Sequence, residues 1–414
     1  GALLEEIDKF DYSLFRITPR EAALMSPSQR LFMQIAYEAV EDAGYSGTKI
    51  KHSNTGVFVG YAENLKDMYQ KMIYDTNPDK VAESLASNLG AIVPSRVSYY
   101  FDLDGPAVLV DTACSSSLVA THLACKALQN GECDQAIVGG IKLHTVPIDE
   151  KKKKMGIESS DGNTRAFDNK SDGAGIGEGA IAIMLKPLVA AQKDRDHIYA
   201  VIKGSAVNQD GKSMGITAPN PESQMKVIKK CWKDAEIKPQ DISYIETHGT
   251  GTVLGDPIEI NSIKKAFESY GTNLQSCGIG AVKSNIGHLY ECSGLASLVK
   301  VALSLSKNTM PPTINFNFPN EKIDFFNSPI YVNKYSHEWE RIGDKKILCG
   351  ISSFGFSGTN SHVVIEENIQ DTADENYDMK VNLLVLSAET PKSLMRLIES
   401  YNDFVNEMYE MINI

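Results

Sequence analysis

Paired cysteines are missing from this sequence. The seven present, at 114, 125, 133, 231, 277, 292 and 349, form an odd, dispersed set without one Cys-x-x-Cys spacing. That pattern argues against a disulfide framework and against a clustered tetrahedral zinc site, and it suits a reducing cytoplasm. Long apolar runs are missing too: no stretch approaches the ~18 consecutive apolar residues of a membrane span, and Gly1 to Asp8 do not read as a signal peptide. Positive charge is in deficit, 41 Lys and Arg against 53 Asp and Glu, a net charge of −12. An acidic chain repels phosphate backbones, so nucleic-acid binding would need a local basic stripe. The only run of that kind is Lys151 to Lys154, which reads as a solvated loop. With 42% hydrophobic and 23% charged residues, composition excludes disorder and collagen-like repeats. The 414 residues suggest two or three domain-sized units and a sizeable core.

Periodicity supplies the elements. Pro19-Arg20-Glu21 opens a helical stretch that runs to Ala43-Gly44, with proline in the first turn and glycine at the stop. Strand candidates are Thr55–Gly60, Ala107–Val110, Ala136–Ile141, Gly179–Leu185, Tyr199–Val207, Ile242–Ile245 and Cys277–Val282. Helical stretches lie at Cys114–Leu128, Ser223–Ala235, Pro257–Ser269 and Tyr290–Ser306. Strands alternating with helices predict a layered α/β architecture. A strand, a turn carrying chemistry and a helix occur twice, at Val108 to Cys114 and at Ala281 to His288, which hints at duplication. From Glu366 to Asn376 the texture becomes polar and acidic, as in a linker. Beyond it Leu383–Ser387 and Pro391–Met411 predict one strand and one helix, too little for a separate domain.

Chemistry gathers at three turns. Asp111-Thr112-Ala113-Cys114-Ser115-Ser116-Ser117 places a thiol at a helix N-terminus, where free N–H groups and the helix dipole lower a thiol pKa and hold an oxyanion. The competing reading is a small buried cysteine, the usual fate of a free thiol. Thr247-His248-Gly249-Thr250-Gly251-Thr252 puts an imidazole in a Gly-rich loop at a strand's carboxyl end, and Lys283-Ser284-Asn285-Ile286-Gly287-His288 puts an ammonium and a second imidazole at another. One cysteine and two histidines converging in space suit acyl-thioester chemistry without metal or nucleotide. His52, His122, His144, His197, His337 and His362 lack that context and read as packing residues. Gly173-Ala174-Gly175-Ile176-Gly177-Glu178-Gly179 precedes a strand instead of following one, which rules out a dinucleotide fingerprint. Ser352 to Asn360 joins two apolar runs and fits either a tight hairpin turn or a loop whose amides approach a ligand.

Taken together, Asp111 to Ser117, Thr247 to Thr252 and Asn285-Ile286-Gly287-His288-Leu289 resemble the Cys-His-His signature of ketosynthase domains from modular polyketide synthases, and are similar also to fatty-acid condensing enzymes. The likeness runs from Phe10-Asp11 through Pro19-Arg20-Glu21 to Phe354–Asn360. It implies the α/β thiolase-like fold, two similar α/β halves in stacked layers, assembled as a homodimer. It assigns residues 1–367 to the ketosynthase domain, with an N-terminal strand expected before Phe10 and missing from one half, and 368–414 to the start of the following linker.

The resemblance also implies roles. Cys114 would take the acyl chain from an acyl carrier protein, and His248 and His288 would promote decarboxylation of a malonyl extender and Claisen condensation. Lys283 would support the histidines. Thr250 and Thr252 would contact the pantetheine arm, Phe354 would contact substrate, and Phe356 would gate the pocket and lend its amide to the oxyanion hole. No cofactor is bound directly; substrates ride on the phosphopantetheine of carrier proteins. Expected partners are acyl carrier protein and other synthase modules, with neither nucleic acid nor membrane. His144-Thr145-Val146-Pro147 with Met155 to Gly162 is similar to ketosynthases served by an acyltransferase in trans. Two departures stand out: Ser357 where glycine is commoner, and Tyr290-Glu291-Cys292-Ser293 in place of a run of small residues, with Cys292 read as helix packing. The alternatives are a non-elongating docking module, which in such families often loses the histidine present here as His248, and a Cys-His thioester hydrolase.

Overall fold

The computed structural model describes residues 1–62, 68–144, 156–271, 273–341, 343–369 and 384–412. The lysine run, Thr145–Pro147 and Met155 lie outside these residues. The chain divides into two compact units, Gly1–Phe10 with Pro19–Asn368, and Asp11–Thr18 with Ile369–Ile414.

The larger unit begins with α1 (Pro19–Leu24) and α2 (Pro27–Asp42). Sequence periodicity suggests one helix here. Two form because Pro27 has no N–H to continue the ladder, while Ser26, in extended conformation, caps α2 by accepting a hydrogen bond from Gln29 N at 3.4 Å. There follow β1 (Thr55–Gly60), α3 (Met68–Thr76), α4 (Val81–Ser87), α5 (Ile92–Phe101), β2 (Ala107–Val110), α6 (Ser116–Gln129), β3 (Gln135–Lys142) and β4 (Gly179–Leu185). The second half continues with α7 (Leu188–Asp194), β5 (Ala200–Gln209), α8 (Pro221–Asp234), β6 (Ile242–Glu246), α9 (Gly255–Glu268), β7 (Cys277–Gly280), α10 (Lys283–Ile286) and α11 (Ser293–Ser306). It closes with β8 (Thr309–Met310), β9 (Ile330–Val332), β10 (His337–Glu338), β11 (Leu348–Phe354) and β12 (Thr359–Glu367). In the smaller unit α12 (Pro391–Ile412) forms as the sequence suggests, and residues 384–388 form no strand.

Duplication is explicit in the sheets. The first runs β2-β1-β3-β4, three parallel strands and an antiparallel one. Within the second, β7-β6-β11-β12 repeats that order and those directions, with β9 added outside β7 and β5 outside β12. Among the described residues β4 has no counterpart of β5, and a groove of about 500 Å³ runs between β4, β5 and α11. The strands at the sheet centres, β1 and β11, are buried at every residue, as two covered faces require.

Two helices lie at the middle, α6 and α11, and each follows one of the chemical turns. They pack so closely that a Cβ on Gly294 would stand 2.6 Å from Leu118 Cβ. Leu295 N donates to Ser117 Oγ at 3.1 Å. Their N-terminal ends, and with them Cys114 and His288, are thereby brought to one place.

Candidate functional site

Cys114 sits in a one-turn 3-10 segment, Ala113–Ser115, that leads into α6. Ala113 is held at φ 55°, a region costly for a side chain, by hydrogen bonds of its own sequence. Ala113 N donates to Asp111 Oδ1 at 3.1 Å, Thr112 N to Ser116 Oγ at 2.9 Å, and Ser116 Oγ to Ala113 O at 2.6 Å. The serines and the aspartate are what bend the turn. Cys114 itself is buried, 6% exposed, and its sulfur takes a hydrogen bond from the backbone N–H of Phe356.

That amide comes from the turn between β11 and β12, so Ser352–Asn360 is both a hairpin turn and a wall of this site. Gly355 lets it approach: a Cβ there would stand 2.4 Å from Thr112 O. Ser357 Oγ, at the position where the resembled family favours glycine, donates to the same carbonyl at 3.2 Å. Phe356 is 54% exposed at the mouth, while Phe354 is buried against His248, ring centroids 5.9 Å apart.

One electrostatic expectation is reversed. The helix terminus alone predicts a lowered thiol pKa, yet burial pushes Cys114 up to about 11, with the Glu291 carboxylate acting in the same sense. The Phe356 amide and the Lys283 and Lys142 ammonium groups act the other way and are outweighed. Dehydrating a thiolate at this depth costs more than one amide and two cations return.

The His248 loop is strapped by two buried carboxylates. Glu259 on α9 accepts from His248 N at 2.7 Å and Gly249 N at 2.8 Å, and Asp256 accepts from Gly251 N at 3.0 Å and Phe167 N at 2.7 Å. Burial raises Asp256 to about 6 and Glu259 to about 7. Thr250 and Thr252 face each other with hydroxyls 3.1 Å apart, and Thr252 Oγ1 also accepts from Gly255 N at 3.1 Å. Beneath the loop Glu246, fully buried, accepts from Val282 N at 2.5 Å, Tyr244 Oη at 2.7 Å and Lys300 Nζ at 2.6 Å, locking the ends of β6 and β7 together.

His288, 2% exposed, is placed by the Gly-rich stretch that resembled a nucleotide motif only in composition. His288 N donates to Gly175 O at 2.7 Å and Gly177 N to His288 O at 3.1 Å; Gly287, at φ 72°, lies against Ile176 O. The glycines permit backbone-to-backbone packing, a role legible only once the strand ends meet.

The two imidazoles stand at right angles, 88°, with centroids 5.6 Å apart. Phe354 N donates to His248 Nδ1 at 3.4 Å, and Tyr290 N donates to His288 Nδ1 at 3.2 Å, with Ser293 Oγ 2.8 Å from the same atom. A nitrogen that accepts carries no proton, so each neutral ring has its proton on Nε2. Burial holds both rings well below the usual histidine pKa, aided by Lys283 at each. Lys283 is 2% exposed and makes no ion pair among the described residues. Burial lowers its pKa, while Glu259, Glu246, Cys114 and Asp256 act to raise it.

The arrangement therefore offers a thiol under a backbone N–H and two imidazole N–H donors, the equipment of a condensing enzyme of the thiolase-like fold. Comparison with known proteins agrees. Residues 1–191 match "Beta-ketoacyl synthase, N-terminal domain", 199–317 match "Beta-ketoacyl synthase, C-terminal domain" and 319–413 match "Ketoacyl-synthetase C-terminal extension". The chain belongs to the beta-ketoacyl synthase family, and it is a ketosynthase domain of the polyketide synthase type, an acyltransferase. Polyketide synthase PksL of Bacillus subtilis is 43% identical over 97% of this chain, which spans 9% of that protein. Polyketide synthase ThaG of Burkholderia thailandensis is 41% identical over 91% of the chain and 7% of its own length. The chain thus spans only a small part of the length of these curated relatives. Among solved structures, the ketosynthase from module 6 of the bacillaene synthase of Bacillus subtilis superposes with a TM-score of 0.88 at 43% identity, over 98% of this chain and 69% of that one. Ketosynthase twelve of the bacillaene synthase of Bacillus amyloliquefaciens gives 0.84 at 38%, over 89% and 65%.

Proposed function

We propose that this chain elongates a polyketide on carrier-bound substrates by transacylation to Cys114 and decarboxylative condensation. The observation that carries the reading is the convergence of two neutral imidazoles, 5.6 Å apart and each with its proton on Nε2, beside the hairpin whose Phe356 amide meets the buried thiol and the Tyr290–Cys292 turn that packs on the Cys114 turn. In the first step the Cys114 sulfur attacks the acyl thioester on a carrier's phosphopantetheine. The carbon–sulfur bond to pantetheine breaks and the pantetheine sulfur leaves with the proton that Cys114 gives up. The Cys114 and Phe356 amides hold the tetrahedral oxyanion.

A malonyl carrier then replaces the first. Its carboxylate leaves as carbon dioxide, and the electron pair moves onto the thioester carbonyl as an enolate. Nε2–H groups of His248 and His288 donate to that oxygen, each ring's Nδ1 being occupied as an acceptor of a backbone N–H. The enolate carbon attacks the Cys114 thioester, the carbon–sulfur bond breaks with Cys114 leaving as the thiolate, which takes a proton from solvent to restore the resting thiol, and the β-ketoacyl chain stays on the carrier. Thr250 and Thr252 at the loop's outer side are assigned to the pantetheine arm, Phe354 to substrate contact, Phe356 to the gate and Lys283 to electrostatic support of the histidines. We assign residues 1–367 to catalysis and 368–414 to a connecting segment, and propose a homodimer, with acyl carrier proteins and neighbouring modules as partners. An acyltransferase supplying the extender in trans fits the likeness to the bacillaene ketosynthases.

The test loads the chain with an acyl carrier thioester, follows Cys114 by intact mass, then adds malonyl carrier. A longer chain on the carrier is the expected outcome. Acylation without extension would assign a docking module instead, and rapid loss of the acyl group to water a hydrolase.

A further inference from the structure

A buried ion pair beside the nucleophile has no part in the mechanism above. Lys142, the last residue of β3, places Nζ 3.2 Å from Glu291 Oε2, with side-chain exposures of 12% and 3%. Glu291 belongs to the 3-10 turn Tyr290–Cys292, which packs directly on the turn Ala113–Ser115 that carries Cys114. The pair thus lies against the turn that carries the reacting sulfur. Burying two charges gains little stability over packed apolar residues of the same size, so stability is a poor reason for this one.

We infer that Lys142 is a positioning residue for the thioester chemistry, acting through Glu291 as the counter-ion that cancels a carboxylate held against the Cys114 turn. The inference rests on the reading of Cys114 as the acylated thiol. Glu291 destabilises the thiolate and Lys142 favours it. The same ammonium lies 4.8 Å from the Tyr290 ring centroid, and that ring stacks on His288 at 4.7 Å and 9°, so the cation is tied to both halves of the site. Lys283, from α10, acts on the sulfur in the same sense as Lys142 and more strongly, but it also interacts with Glu259, Glu246 and Asp256, and the cation paired with Glu291 is Lys142. His248 and His288 are neutral, burial keeps the Tyr290 phenol protonated, and Asp111 adds charge of the same sign beside Glu291.

The experiment is iodoacetamide alkylation of Cys114 in the full chain, followed by mass of the Cys114 peptide at about pH 8, with Cys114→Ala as blank. Below the thiol pKa the rate tracks the thiolate fraction, so a shift of half a pKa unit reads as about threefold. Lys142→Met is expected to slow alkylation about threefold or more, Glu291→Gln to speed it by a similar factor, and Lys142→Met with Glu291→Gln to return near the parent. Lys142→Arg keeps the charge and is expected to keep the rate. A packing role would move Lys142→Met and Glu291→Gln in the same direction, because loosening the cover of a buried thiol changes its access and hydration whichever side chain is lost, so faster alkylation in Lys142→Met overturns the inference, as does a slowed or unchanged rate in Glu291→Gln. If Lys142→Met fails to fold, Glu291→Gln and Lys142→Arg still decide. A chain that alkylates normally at Cys114 yet never accepts acyl groups there would instead defeat the proposed function and leave the charge relation standing.

Discussion

Ser353 donates its hydroxyl to the backbone carbonyl of Cys114 at 2.8 Å, across 239 residues of chain. This bond fastens the end of β11 to the nucleophile turn. The next residues of the same hairpin deliver the Phe354 amide to His248 and the Phe356 amide to the Cys114 sulfur. One short segment therefore sets both the acyl site and one of the two imidazoles.

Gly355→Ala is expected to break that coupling. The added carbon would stand 2.4 Å from Thr112 O and 2.8 Å from Ser115 Oγ, backbone and packed side chain that have no room to yield. The hairpin must lift, and the Phe356 amide leaves the sulfur. Loss of one oxyanion donor costs about 10²–10³ in rate. Acylation of Cys114 by an acyl carrier thioester, timed by intact mass, should fall by that order while circular dichroism stays native. Acylation at the parent rate would show that the hairpin amide has no part in the step.

His248→Ala and His288→Ala should separate the two half-reactions. Neither ring donates to the thiol in the proposed scheme, so acylation should proceed within severalfold of the parent. Condensation with malonyl carrier should fall by about 10²–10³ for each, the loss expected when a donor to a developing oxyanion is removed. Release of carbon dioxide and product mass measure it. Condensation at the parent rate in either variant would remove that residue from the enolate site.

Much of this site is legible in the sequence because its parts lie at strand ends, where short motifs with fixed neighbours sit. Cys114, His248 and His288 are marked by Asp111 and the serines, by Gly249 and Gly251, and by Gly287. What periodicity misses is short or locally ambiguous. Helices α3, α4 and α5 are brief and lie among turns, and β8 to β10 are two or three residues long. Residues Gly173–Gly179 carry a local composition that fits several uses, and their support of His288 follows only from β4 and the His288 turn meeting in space. The sign of the Cys114 shift is hidden for the same reason. A helix start is local, whereas the depth of burial and the approach of Glu291 are tertiary.

The thiol pKa of about 11 gives a pH dependence of its own. Between about pH 7 and pH 9 the thiolate fraction of Cys114 grows tenfold per unit, and alkylation by iodoacetamide should climb with a slope near one on a logarithmic scale. A plateau starting near about pH 7 would mean a thiol already ionised in the resting site, and would restore the effect expected of the helix terminus.

Asp256 should make stability itself depend on pH. Its folded pKa is about 6 against an ordinary carboxylate value of 3.8, so the folded chain binds this proton more tightly than the unfolded one. Stability from the group is complete below the unfolded value and is lost as pH rises through the folded one. A rise of that size corresponds to about 3 kcal/mol between about pH 4 and about pH 7. Asp256→Asn keeps an oxygen for Gly251 N or Phe167 N and has no proton to lose, so it escapes that penalty. In paired thermal melts the variant should therefore gain on the parent as pH rises from about 4 to about 7, by the few degrees that order of energy gives in a chain of this size. A gap that stays constant across the range would mean the carboxyl is already ionised at no cost, which would require a countercharge nearer than Lys283 provides.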